Sequence, residues 1–151
     1  MKRLWPSVVW FCAGAVLGEI ASTVLFHIWS HIAHPFFISI HDWLASLGHQ
    51  SLAHGWVWLW LNLPTWFSAV VVGFVAGVAI RRHHVLNLLL VGLGFSVVPL
   101  ALAVYLYSFA PYLMEYVWHL AAIVVLFLSG LLGHGIRKAM LPNEDRHTGA
   151  S

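Results

Sequence analysis

Long stretches of this chain contain no charged side chain. Asp, Glu, Lys and Arg are absent from residues 4–18, 20–41, 43–80, 83–114 and 116–136. Charged residues make up 8% of the 151 residues and hydrophobic residues 61%, whereas a soluble domain carries about 25% charge. So few charged groups cannot cover the surface of a water-soluble monomer. The lipid bilayer is therefore the first partner that the sequence predicts.

Four apolar segments are long enough to cross a bilayer, which takes about 20 helical residues, and the first of them contains one charged residue, Glu19. The predicted spans are residues 5–29, 64–80, 85–107 and 112–136. Because the connections at 81–84 and 108–111 are short, spans two, three and four are expected to be antiparallel neighbours. We predict an all-α, polytopic membrane protein with four transmembrane helices in a single domain over 1–151, ending in a tail at 137–151.

The segment between the first two spans, residues 30–62, is too long for a simple connection and too apolar for a free loop. Wound at about 100° per residue, its part 36–47 gathers apolar side chains on one side. They are Phe36, Phe37, Ile40, Trp43, Leu44 and Leu47. This pattern predicts an amphipathic interfacial helix that lies on the outer face or caps the bundle. Gly48 would end that helix, because glycine readily adopts positive φ.

The basic residues indicate the orientation of the chain. The seven are Lys2, Arg3, Arg81, Arg82, Arg137, Lys138 and Arg146. With four spans, all seven fall on one side, which the positive-inside rule assigns to the cytoplasm. We therefore predict a multi-pass protein of the bacterial inner (plasma) membrane with both termini in the cytoplasm. Arg81, Arg82, Arg137 and Lys138 would also bind anionic lipid headgroups. They form no single patch, which excludes a nucleic-acid binder.

Tryptophan is concentrated towards the predicted outer face. The residues concerned are Trp29, Trp43, Trp56, Trp58, Trp60, Trp66 and Trp118. Indole rings favour the headgroup level of a bilayer, where the ring is in apolar contact and the N–H is hydrated. The pattern predicts an anchoring belt.

Ionisable side chains inside a bilayer are costly and therefore point to function. Glu19 and His119 are predicted at similar depths, roughly 13 and 10 Å below the outer face. His27 and Glu115 are both expected near that face. If spans one and four are neighbours, two carboxylate–imidazole pairs would form, and Thr23 would extend the polar stripe of Glu19. Such pairs would either fix helix register or relay protons or ions, unless another subunit completes the site.

Three histidines share one side of the predicted first helix. His27, His31 and His34 have spacings of four and three, which suit metal ligands. Zinc or copper would fit this set, and haem is a further alternative. Cys12 is the only cysteine, and no HExxH string occurs. The favoured interpretation is a histidine-rich surface that hydrogen-bonds headgroups and backbone.

Two GxxxG motifs predict close helix packing. Gly14 and Gly18 form one in the first span, and Gly73 and Gly77 form one in the second. Small residues at this spacing let helix backbones approach closely. The Gly14–Gly18 face lies opposite the polar stripe, so protein is expected on both sides of the first span. We therefore predict contact with other integral membrane subunits, or self-association.

These features favour an interaction or assembly subunit of a larger membrane complex. The first alternative is a proton, ion or small-solute transport component that uses the intramembrane Glu and His residues. The second is an outer-face metal-binding protein or a subunit of a membrane enzyme. No catalytic motif is recognisable in the sequence, so an enzyme is the less favoured class.

Overall fold

The computed structural model describes residues 5–107 and 113–141, without the side chains at 5, 6, 102, 103, 106, 107 and 113–115. This part of the chain forms four helices and no β-strand. They are α1 (Trp5–Ser46), α2 (Gln50–Ala79), α3 (His84–Tyr107) and α4 (Leu113–Met140). Each helix contains a segment long and apolar enough to cross a membrane. The predicted class, an all-α polytopic protein with four spans, is confirmed.

The structure corrects the boundaries predicted between the first two spans. Residues 36–47 are largely helical, as expected, but they continue α1 without a break, and α2 begins at Gln50. The predicted loop 30–62 is therefore two helix ends joined by a short turn. Bilayer thickness limits an apolar span, but it does not end a helix whose backbone hydrogen bonds continue in water. Pro35 and Pro64 are both accommodated inside helices.

The turn between α1 and α2 has the glycine geometry that the sequence predicts. Gly48 has a φ of +75°. Its N–H donates to the carbonyl of Ala45, and the N–H of His49 donates to the carbonyl of Leu44. This pair of bonds is a Schellman motif, which satisfies the last carbonyls of a helix. α1 therefore ends at a specific signal, and the chain reverses direction there.

The four helices pack in the order α1, α3, α4, α2 around the bundle. α1 contacts α2 and α3, while α4 contacts α2 and α3. α2 and α3 also touch across the centre, whereas α1 and α4 make no contact among the described residues. The predicted contacts of span three with spans two and four are thus present. The buried core lies between α2, α3 and α4 and consists of Ala69, Val72, Ala76, Ile80, Leu88, Val91, Phe95, Ala122 and Leu126.

α1 and α2 are longer than the helices they pack against. Gly14 and Gly18 of α1 meet Val91 and Phe95 of α3, so these two helices are parallel and Tyr107 is level with about residue 30. Gly77 of α2 meets Gly130 of α4, which places the start of α4 level with about residue 60. Residues 31–59 therefore extend beyond α3 and α4. We call them the distal hairpin, and its α1 arm rises about 24 Å.

Candidate functional site

The polar stripe predicted on α1 divides between two surfaces. Thr23 and His27 line a cavity of about 320 Å³ whose far wall is Pro64 and Thr65 of α2. Glu19 lines a different groove, formed with Val98 and Pro99 of α3. The residues of the stripe therefore line two different cavities.

The predicted pairing of Glu19 with His119 does not form. Glu19 lies on α1 and His119 on α4, and these helices make no contact in the described part of the chain. His119 instead packs against α3, where the hydroxyl of Ser96 donates to its carbonyl oxygen at 3.3 Å. The side chain of Glu115 lies outside the described residues, so the predicted pair of His27 and Glu115 stays a prediction.

The three histidines proposed as metal ligands are engaged in other ways or exposed. The rings of His27 and His31 lie 4.6 Å apart between centroids. Nδ1 of His31 lies 2.9 Å from the carbonyl oxygen of His27, which accepts a hydrogen bond when that nitrogen carries the proton. His34 is exposed. No group of three His, Cys, Asp or Glu side chains arranged to hold a metal ion occurs among the described residues.

The GxxxG motifs form contacts within the chain. A Cβ added to Gly14 would overlap the carbonyl of Val91, and one added to Gly77 would overlap the carbonyl of Gly130. Gly73 is packed just as closely against Leu126. Because α3 covers the glycine face of α1 and α2 packs beside it, the bundle itself supplies neighbours for α1. The motif glycines therefore contact helices of the same chain and do not by themselves indicate another subunit.

The sequence analysis did not predict the packing role of three further glycines, which are Gly94 of α3 and Gly130 and Gly133 of α4. Gly94 packs against the backbone of Phe11, Gly130 against Leu88, and Gly133 against the carbonyl of Phe74. The spacing of three between Gly130 and Gly133 places both on one face of α4. That spacing is the signal that would have indicated the α2–α4 contact.

The aromatic residues near the predicted outer face form a cluster inside the protein. Trp60 lies at its centre, with ring centroids 4.8 Å from both Trp29 and Phe37. The indole N–H of Trp56 donates to the carbonyl of Phe37 at 3.3 Å. We call Trp29, Phe37, Trp56 and Trp60 the aromatic cluster. It joins α1 to α2 at the base of the distal hairpin, so these rings have a packing role within the chain.

Basic residues gather at the opposite end of the bundle. Arg81 and Arg82 lie in the turn between α2 and α3, and Arg137 and Lys138 lie in the last turn of α4. The guanidinium of Arg137 donates to the carbonyl of Ile80 at 2.9 Å. The four described basic residues therefore share one end, as the four-span arrangement requires. Beside them, the imidazoles of His84 and His134 stack with centroids 4.2 Å apart.

Arg137 is expected to stabilise the bundle, while Lys138 is not. Arg137→Gln removes a charge-assisted hydrogen bond to the C-terminal end of α2, which should lower the free energy of unfolding by about 2 kcal/mol. Lys138→Gln removes the same charge from an exposed neighbour and should change it by less than about 0.5 kcal/mol. Unfolding in mixed detergent micelles, followed by circular dichroism, measures both. An equal decrease in the free energy of unfolding of the two variants would mean that the positive charge, and not the hydrogen bond to Ile80, stabilises the bundle.

Comparison of the chain with protein families, with curated proteins and with solved structures finds no match.

Proposed function

We propose that this protein is an assembly subunit of a larger complex in the bacterial inner membrane, and that the distal hairpin is its docking element. The observation that carries the proposal is the extension of α1 and α2 beyond α3 and α4. Over residues 31–59, α1 and α2 are the two described helices that remain, so among the described elements they alone can cover each other's apolar side chains.

Two helices do not bury these side chains. Phe36 is 70% exposed, Trp43 is 61% exposed and Leu52 is 59% exposed. Exposed apolar surface costs about 25 cal/mol per Å² in water. Where large apolar side chains are exposed to water in number, they favour a contact site. α1 has 42 residues and rises about 63 Å, which is about twice the hydrocarbon thickness of a bilayer, so we place the hairpin outside the bilayer. A partner protein is therefore the covering surface that we propose.

The orientation follows from the shared position of the described basic residues. They lie at the end opposite the distal hairpin, and loops rich in Arg and Lys remain in the cytoplasm. This supports cytoplasmic termini and a distal hairpin on the outer side of the inner membrane. The partner would then have at least one segment on that side.

Charges placed on the exposed apolar positions should release the protein from its complex. In Phe36→Glu/Leu52→Glu, each carboxylate would be buried against the partner without a counter-charge, which costs several kcal/mol. We expect this variant to migrate as an isolated bundle on a native gel in mild detergent, with unchanged helix content. The wild type should migrate with a larger complex.

The matched control is Ala45→Glu/Ser51→Glu, which adds the same charges at exposed positions of the same hairpin. It should remain in the complex, because neither original side chain offers a large apolar surface to a partner. Equal migration of both variants and the wild type would contradict the proposal, whether all three are assembled or all three are single bundles.

A further inference from the structure

The cavity between α1 and α2 lies at the depth of the membrane-spanning bundle. α3 rises about 36 Å over its length, which is close to the hydrocarbon thickness of a bilayer, about 30 Å. Phe95 is half-way along α3, and its ring packs against Gly18 of α1. Ser22 and His27, which line the cavity, lie about 6 and 13 Å further along α1. The cavity therefore belongs to the half of the hydrocarbon layer that is nearer to the distal hairpin.

The cavity is open on the side that would face lipid. Of the residues that line it, Thr23, Phe26 and His27 are exposed at the surface of the bundle. Towards the distal hairpin, one helical turn beyond the lining residues, the rings of Trp29 and Trp60 are in contact, with centroids 4.8 Å apart. This contact lies between the cavity and the hairpin, so a ligand would enter from the bilayer.

The polar side chains of the cavity have unused hydrogen-bonding capacity. They are Ser22, Thr23 and His27 of α1 and Thr65 of α2, and none of the four side chains makes a hydrogen bond within the described part of the chain. Serine hydroxyls elsewhere donate to carbonyls of their own helices, as those of Ser39, Ser68 and Ser129 do. A hydroxyl without a partner is costly in hydrocarbon, so these groups favour a polar ligand in the cavity.

The lining also limits the chemistry of that ligand. No Asp, Glu, Lys or Arg is among the described residues that line the cavity, so an ionic head would be buried without a counter-charge. A hydrocarbon chain would leave the hydroxyls unpaired. Each Ser or Thr hydroxyl offers one donor and two acceptor lone pairs. A ligand hydroxyl can use both functions, whereas a carbonyl only accepts.

We infer that this cavity binds the head of an uncharged lipid alcohol. Its hydroxyl would exchange hydrogen bonds with Ser22 and Thr23 on one wall and with Thr65 on the other. The volume of about 320 Å³ is at the lower end of the range for small-molecule sites, so it accommodates the head while the apolar chain extends through the open side into lipid. The inference is independent of the docking role of the distal hairpin.

Photolabelling in phosphatidylcholine vesicles tests the site. The probe is a long-chain primary alcohol with a diazirine close to its hydroxyl, used at a concentration far below saturation. Light expels N₂ from the diazirine, and the resulting carbene inserts into a neighbouring C–H or O–H bond. Mass spectrometry of peptide fragments should locate the label at residues 22–27 and 64–65. The methyl ether of the probe, which cannot donate a hydrogen bond, should label these residues at least about threefold less.

Hydroxyl deletions inside and outside the cavity provide the matched comparison. Ser22→Ala/Thr65→Val removes one hydroxyl from each wall with little change of shape and should lower labelling by the alcohol about tenfold. Ser39→Ala/Ser129→Ala removes two hydroxyls that do not line the cavity and should leave labelling unchanged. Equal labelling by the alcohol and its ether would overturn the inference. Wild-type labelling of the cavity variant, or an equal loss in the control variant, would overturn it as well.

Discussion

Replacing Gly77 by leucine is expected to lower the free energy of unfolding by about 3 kcal/mol, because the side chain would have to displace a neighbouring backbone. A Cβ at this position overlaps the carbonyl of Gly130, and Gly73 one turn earlier is equally close to Leu126. The overlapping atoms belong to helix backbones, which cannot rotate aside as a flexible side chain does. The α2–α4 interface must therefore separate along its length.

The control for this prediction lies in the same helix. Gly55 has no atom within 4 Å of an added Cβ, so Gly55→Leu should leave stability unchanged or raise it by about 0.5–1 kcal/mol through helix propensity. Unfolding of both variants in mixed micelles, followed by circular dichroism, makes the comparison. Similar free energies of unfolding for the two variants would show that the close α2–α4 contact is not required for stability.

Trp60→Ala is expected to lower stability by about 3 kcal/mol and to loosen the distal hairpin. Trp60 is 7% exposed and is the central ring of the aromatic cluster. Its loss leaves a cavity between α1 and α2. Local opening should then make the hairpin sensitive to protease while α3 and α4 remain protected.

Trp43→Ala is the matched comparison, since it removes the same side chain from a position in the hairpin that is 61% exposed. We expect a change below about 1 kcal/mol and an unaltered rate of cleavage. Limited proteolysis of both variants in lipid nanodiscs, with fragments identified by mass, measures the difference. If Trp43→Ala accelerates cleavage as much as Trp60→Ala does, the aromatic cluster is not what holds α1 and α2 together.

For the polar residues of the spans, the sequence predicts depth along a helix but not which helices are neighbours. Depth along a helix can be counted from residue numbers, and Glu19 and His119 lie in helices that are long and apolar enough to cross a membrane. Their pairing needed α1 and α4 to be neighbours, and the helix order separates them. The groove of Glu19 depends on Val98 and Pro99, which no spacing pattern connects to residue 19.

The glycine motifs also show that a sequence can predict a helix contact without identifying the partner helix. Gly14 and Gly18 indicated a close helix contact, and that contact exists. Since a small residue permits close approach without choosing the partner, the motif was equally consistent with another subunit. The partner is α3, whose own Gly94 packs back against Phe11 of α1.

The amino-acid order alone was enough to establish four apolar helices, their basic ends and the glycine turn after Ser46, because hydropathy, charge and positive φ are local properties. Helix neighbours, the length of the distal hairpin and the surroundings of Glu19 required the folded bundle. These features depend on which of several similar apolar faces fit together, and the fit of side chains against distant backbones is a property of the whole packed chain.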